Sequence, residues 1–215
     1  MKIPQNRAAL QRDGARVLEF CGGISVGLDA MEDIKIRLCD SIENNAISID
    51  VAQRNHPEVN HIGDAYDQTK YDRYDFVIGG TSCQNFSTMG DGEGLGGEKS
   101  KVFFKYLEAL EKINPKWFLL ENVFSMTNEC RDQISEYLGV KPVVINSALL
   151  SAQARERYYW ANFPIKQPED RGIMLKDLWF GSGEVFAYSS SAGRGEKRKE
   201  FPFDERLRTD GKANT

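Results

Sequence analysis

From residue 15 to residue 160 the chain alternates short apolar runs, most of them closed by a glycine or an acid, with stretches of helical periodicity. That alternation restricts the fold to an α/β class, a mostly parallel twisted sheet with helices on both faces. Strands are expected at Ala15–Phe20, 34–39, 59–62, 76–78, 117–120, 143–145 and 158–160. Cys21-Gly22-Gly23 reads as a tight turn, followed by a helix-like segment at 25–31. Further helices are expected at 44–54, stopped by Asn55-His56-Pro57, at Lys101–Ile113, ended by Asn114-Pro115, and at 131–138, stopped by Gly139. In the helix Lys101–Ile113, Phe103, Leu107 and Leu110 make one apolar face, and Glu108 and Lys112 pair one turn apart. The run 89–97 is glycine-rich and reads as a surface loop.

The most informative of these strand ends is Gly79-Gly80-Thr81-Ser82-Cys83-Gln84-Asn85-Phe86-Ser87, directly after Tyr74-Asp75-Phe76-Val77-Ile78. Open α/β sheets put ligands and nucleophiles on loops at the carboxyl ends of strands. Glu121-Asn122-Val123 follows the run Trp117-Phe118-Leu119-Leu120, and Gln153-Ala154-Arg155-Glu156-Arg157 precedes Tyr158-Tyr159-Trp160. A thiol, a carboxylic acid and a guanidinium at such positions suit nucleophilic attack on an electron-poor ring.

Composition narrows the remaining classes. With 215 residues, 40% hydrophobic and 28% charged, the chain has room for one well-buried domain and a small appendage. No apolar run approaches the ~20 residues of a membrane helix and the start has no signal-peptide core, so a cytoplasmic protein without a membrane partner is expected. The 4 cysteines lack the paired short spacings of a zinc site, and His56 and His61 are the only histidines. No metal is expected, and the thiols should be free. A net charge of −4 argues against non-specific coating of nucleic acid while leaving room for a local basic cleft.

Four strings in order resemble the DNA (cytosine-5) methyltransferase family. Phe20-Cys21-Gly22 is similar to its cofactor loop, Gly79-Gly80-Thr81-Ser82-Cys83-Gln84 to its nucleophile loop, Glu121-Asn122-Val123 to its acid motif, and Gln153-Ala154-Arg155-Glu156-Arg157 to its arginine motif. The stretch Lys101-Val102-Phe103-Phe104 and the block 152–164 most resemble the de novo branch and its phage-borne relatives. The resemblance implies a Rossmann-like three-layer αβα fold, S-adenosyl-L-methionine as methyl donor, and double-stranded DNA as partner. The target cytosine would be flipped out of the duplex, since a thiol cannot reach its C6 inside the stack.

Residue by residue, the resemblance implies that Cys83 adds to C6, that Glu121 donates to ring N3 and holds the exocyclic amine, and that Arg157 sits on the base O2. Arg155 would serve the nucleophile loop or a phosphate. Phe20 would cover the adenine, with Gly22 and Gly23 letting the methionine tail approach. Asp40, taken as the end of the second strand, would accept the ribose hydroxyls, and Asp64 would take the adenine amine. Ser41, Ala65, Gly80 and Val102 complete the implied cofactor contacts; Thr81, Ser82, Gln84, Ser87, Asn122 and Gln153 complete those to substrate.

The chain departs from the family pattern in three ways. Ser82 stands where the nucleophile is normally preceded by proline, which loosens the loop and predicts slower chemistry. The glycine spacing after Phe20 differs from the commonest form. The family's closing segment is not seen, so a truncated product, or a second polypeptide supplying that segment, is expected. The implied organisation is a leader at 1–15, a catalytic domain at 16–165, a target-recognition-like or flexible region at 166–206, and the opening of a truncated segment at 207–215. C5 methylation of transfer RNA, and a silent or split subunit that binds DNA or a partner chain, are the alternative functions.

Overall fold

A computed structural model describes residues 14–81, 101–178 and 213–214. Seven strands form one sheet in the order β3-β2-β1-β4-β5-β8-β6. They are β1 (Ala15–Phe20), β2 (Ile36–Ile42), β3 (Val59–Gly63), β4 (Phe76–Gly79), β5 (Trp117–Val123), β6 (Val143–Asn146) and β8 (Glu156–Ala161). The pairs β1–β2, β2–β3, β1–β4 and β4–β5 are parallel. Two residues of β7 (Gln153–Ala154) pair in parallel with β9 (Ala213–Asn214). The helices are α1 (Ala46–Asn55), α2 (Lys101–Ile113) and α3 (Asn128–Leu138). This is a Rossmann-like doubly wound architecture, with the strand order reversing between β1 and β4.

The chain divides into two compact units. One comprises Met1–Val143 with Tyr158–Ile165, and the other Val144–Arg157 with Lys166–Thr215. In the first, period-two alternation sends neighbouring β1 residues to opposite faces. Val17 joins Cys39, Val59, Leu28 and Met31 in a buried cluster on one face, flanked by Phe76 and Ile78. Phe20 points the other way and packs edge-on against Tyr106 of α2, with ring centroids 5.5 Å apart.

Helix α2 has the bounds that its periodicity predicts, but its buried face is rotated. Phe103, Tyr106 and Ala109 are fully buried, while Leu107 and Leu110 are only half-buried. Gly79 explains the rotation. A Cβ there would lie 2.5 Å from the Tyr106 ring, so the missing side chain gives the tyrosine its seat. The tyrosine hydroxyl then donates to the Leu119 carbonyl at 3.1 Å. On the outer face of α2, Glu108 accepts from Lys112 at 2.6 Å and Lys105 at 2.9 Å.

Helix α3 is capped at both ends. The Thr127 hydroxyl accepts from the Cys130 N–H, and Gly139 closes the helix in the left-handed region at φ 68°. Trp160 of β8, fully buried, donates from Nε1 to Ser135 Oγ of α3 at 2.9 Å.

The helix expected at 25–31 is instead a series of turns ending in a short 3-10 turn, Asp29–Met31. Gly22, Gly23 and Gly27, with positive φ at Cys21, Gly23 and Ser25, give this stretch a loop backbone rather than a helical one. No helix among the described residues is long and apolar enough to cross a membrane. Cys21, Cys39 and Cys130 are free thiols.

Candidate active site

The site grows from the carboxyl ends of β1 and β4, the two neighbours at the reversal of strand order. The Gly80 N–H donates to the Phe20 carbonyl at 3.1 Å, tying the loop after β4 to the end of β1. A Cβ built on Gly80 would lie 3.8 Å from the Cys21 carbonyl and 4.0 Å from Glu121 Oε2. The loop after β1, the loop leading toward Cys83 and the Glu121 carboxyl therefore meet at one glycine.

Asn122 fixes this arrangement. Its side chain is 1% exposed; Nδ2 donates to both the carbonyl and the hydroxyl of Thr81 at 3.3 Å, and Oδ1 accepts from the Val123 N–H at 2.8 Å. Thr81 is itself buried and stands two residues before Cys83. Glu121 and Asn122 lie inside β5 rather than after it, because the strand runs on to Val123. Successive residues of a strand face opposite ways, so Glu121 faces away from the side on which Asn122 holds Thr81.

Several expected positions need correction. Phe20 has no exposed surface and is locked in the core against Tyr106, so it is not available to cover an adenine. The partly exposed loop residue is Cys21, whose backbone takes φ 57°. Burial, reinforced by the Glu43 and Asp64 carboxylates, pushes its thiol pKa up to about 12. Asp40 does not end β2. It lies two residues before the end, 5% exposed, and accepts from the Tyr74 hydroxyl at 2.5 Å and from Asn60 Nδ2 at 3.0 Å. Its carboxylate is committed to the interior, and burial beside that carboxylate raises the Tyr74 pKa.

The acid just past the end of β2 is Glu43, absent from the residues inferred above. Its Oε2 accepts from the Gly23 N–H at 2.9 Å, and Oε1 accepts from the N–H groups of Asn44 and Asn45 at 2.9 and 2.8 Å. Asp64 stands one residue past β3, where it was expected, and accepts from Asn44 Nδ2 at 2.6 Å and from the Tyr66 N–H at 2.9 Å. Glu43, Asn44 and Asp64 thus form a polar rim beside the loop after β1. Gly23, at φ 59°, has open space where a side chain would project, and Gly22 lies directly over Ser41. Ser41 and Ala65 are buried beneath this rim, while Val102 is half-buried on α2.

Gln153, Arg155 and Arg157 belong to the second unit. The Arg155 N–H donates to Asn146 Oδ1 at 3.1 Å, and its carbonyl accepts from the Ser147 N–H at 3.0 Å. Gln153 and Arg155 are exposed; Arg157, half-buried, donates from Nη1 to the Glu156 carbonyl at 2.8 Å. Cys83, Ser82, Gln84 and Ser87 lie outside the described residues.

The relatives agree with this architecture. Over 119 residues the chain is 30% identical to an orphan methyltransferase, M.SPRI, of Bacillus phage SPR, covering 53% of this chain and 27% of that protein. It is 34% identical over 99 residues to the type II methyltransferase M.FnuDI of Fusobacterium nucleatum, covering 41% of this chain and 29% of that one. The matched stretches span little more than a quarter of either relative. A prophage-encoded DNA modification methyltransferase from E. coli shares the fold with a TM-score of 0.61 at 17% identity, over 81% of this chain and 57% of that one. The model of the C-5 cytosine-specific DNA methylases matches residues 17–173, well over half of the sequence, and the chain belongs to that family.

Proposed function

We propose that this protein methylates C5 of a cytosine turned out of double-stranded DNA, with S-adenosyl-L-methionine supplying the methyl group. The observation that carries the reading is the meeting, at Gly80, of the loop after β1, the chain leading to Cys83 and the Glu121 carboxyl.

The Cys83 thiolate forms a bond to C6, and Glu121 donates a proton to N3, so that the ring electrons accumulate at C5. C5 would take the methyl group from the donor's sulfonium, which leaves as a neutral thioether; C5 then gives its proton to solvent as the Cys83–C6 bond breaks and the thiolate leaves, N3 returns its proton to Glu121, and aromaticity returns. Arg157 on O2 and Arg155 near a phosphate or the nucleophile loop complete the assignment. Thr81, held by Asn122, orients the approach to Cys83, and Ser82, Gln84, Ser87 and Gln153 line the substrate side.

The residues after β1 fit a nucleoside cofactor with an amino-acid tail. Gly23 leaves open space beside the backbone, and Glu43 and Asp64 put acids at the ends of β2 and β3. Glu43 thereby takes the ribose role first assigned to Asp40, and Asp64 keeps the adenine amine. The test is transfer of a labelled methyl group, with unmodified duplex DNA beside transfer RNA as substrates. Label entering duplex cytosine is expected; label entering only transfer RNA, or neither, refutes the assignment.

A further inference from the structure

Phe124 is the first residue past β5, three after Glu121 and two after Asn122. It stands at the carboxyl edge of the sheet, on the strand that carries the acid, and 41% of it is exposed. The assignments above leave it without a role. An exposed phenylalanine by itself is ordinary, since much of any protein surface is apolar. What sets this one apart is the support beneath it.

The Phe124 ring rests tilted on Tyr158 of β8, the strand beside β5 in the sheet, with centroids 5.1 Å apart and an interplanar angle of 38°. Tyr158 in turn lies against Trp160, two residues on along the same face of β8, at 5.5 Å and 48°. Exposure falls along this column from 41% at Phe124 to 6% at Tyr158 and none at Trp160. Trp160 is fixed by its Nε1 bond to Ser135 of α3 at 2.9 Å, and all four residues belong to the first unit. The exposed ring is the outer end of a braced aromatic stack, so it has little side-chain freedom to lose when a flat partner lands on it.

We propose that Phe124 is a stacking platform for a nucleobase of the substrate DNA, one within about three steps of the target cytosine. The inference rests on the reading that this chain acts on a cytosine turned out of duplex DNA. Three residues of strand span about 10 Å, which is about three base steps along one strand of a duplex. A base resting on Phe124 is therefore a near neighbour of the cytosine that Glu121 would hold. Turning the cytosine out leaves its neighbours one stacking partner short. A rigid aromatic face beside the gap replaces a lost partner, and it does so without reading sequence, because every base has a flat face.

The test uses a duplex chosen by its uptake of labelled methyl groups, with 5-iodouracil placed in turn at the three positions on either side of the target. Ultraviolet light joins that base to an aromatic ring stacked on it, and mass spectrometry locates the bond. The full chain should cross-link through Phe124 from at least one position. Phe124→Ala should lose that cross-link and raise the KM for DNA about tenfold, the effect of losing one base–aromatic stack, while binding S-adenosyl-L-methionine within about twofold of the parent. Phe124→Trp should restore both the cross-link and the KM. Phe124→Leu, which keeps an apolar side chain without a flat face, should restore neither. Parent cross-links that never map to Phe124 would overturn the inference, a result that needs no variant to fold. So would a Phe124→Leu protein with the parent's KM for DNA. If no duplex accepts label, the reading of the site falls instead, and this inference with it.

Discussion

Gly22→Ala offers a calculable test of how the loop after β1 is seated. A Cβ at that position would lie 2.3 Å from Ser41 Oγ, 3.0 Å from Glu19 Cβ and 3.1 Å from Glu19 Oε2. Ordinary carbon–oxygen contact begins roughly 1 Å beyond the first of these, and Ser41 has no exposed surface into which to retreat. Overpacking of this kind costs about 1–3 kcal/mol. Ser41→Ala alone should change stability by less than about 1 kcal/mol, because the hydroxyl it removes has no partner among the described residues. The double variant removes the 2.3 Å clash and keeps the two milder contacts with Glu19, so it should recover about 1 kcal/mol or more of the loss. Urea unfolding of the parent, both singles and the double closes the cycle. A Gly22→Ala protein as stable as its parent, or a double variant no better than the single, would refute the packing described for this loop.

Asn122→Ala strips a buried Thr81 of its side-chain donor and should cost about 1–3 kcal/mol in urea unfolding; methyl transfer should fall further than the folded fraction does. Phe20→Leu should lose the edge-on ring pair, about 0.5–1.5 kcal/mol, yet leave cofactor affinity per folded molecule unchanged, whereas Glu43→Gln should weaken that affinity at near-parent stability. The Cys21 thiol, held up to about 12, should alkylate slowly near pH 8 and faster in Glu43→Gln, followed by mass spectrometry. Because the fold keeps that proton, the stability it contributes is full below the ordinary thiol pKa and is lost as pH rises toward 12. The Glu108 carboxyl, held down to about 2 by Lys112 and Lys105, should titrate there by NMR and move toward the ordinary carboxylate range in Lys112→Ala.

What could be read from the sequence divides along physical lines. Strand β1 and helix α2 are legible to the residue, since each ends at a clear stop, Cys21-Gly22-Gly23 and Asn114-Pro115. The end of β2 is not. Its last four residues, Cys39 to Ile42, are all buried, as in parallel strands covered on both faces, so alternation stops marking the strand while the strand continues. That misplacement put Asp40 at the strand end and hid Glu43, which follows Ile42 directly. The same logic could have relocated Phe20: Leu18 and Phe20 share a face, and a fully buried Leu18 predicts that its neighbour two residues on is core. The rotated face of α2 was beyond pattern reading, because it depends on what Gly79, on a different strand, leaves open.

The central claim is that Cys83 bonds transiently to a pyrimidine carbon of DNA. The most direct measurement incubates the protein and S-adenosyl-L-methionine with a duplex carrying 5-fluorocytosine, where the fluorine cannot leave as a proton does. The account predicts a denaturant-stable protein–DNA adduct whose proteolytic fragment carries the modified base on Cys83, and none with Cys83→Ser. An adduct on another residue, or one that survives Cys83→Ser, would contradict it.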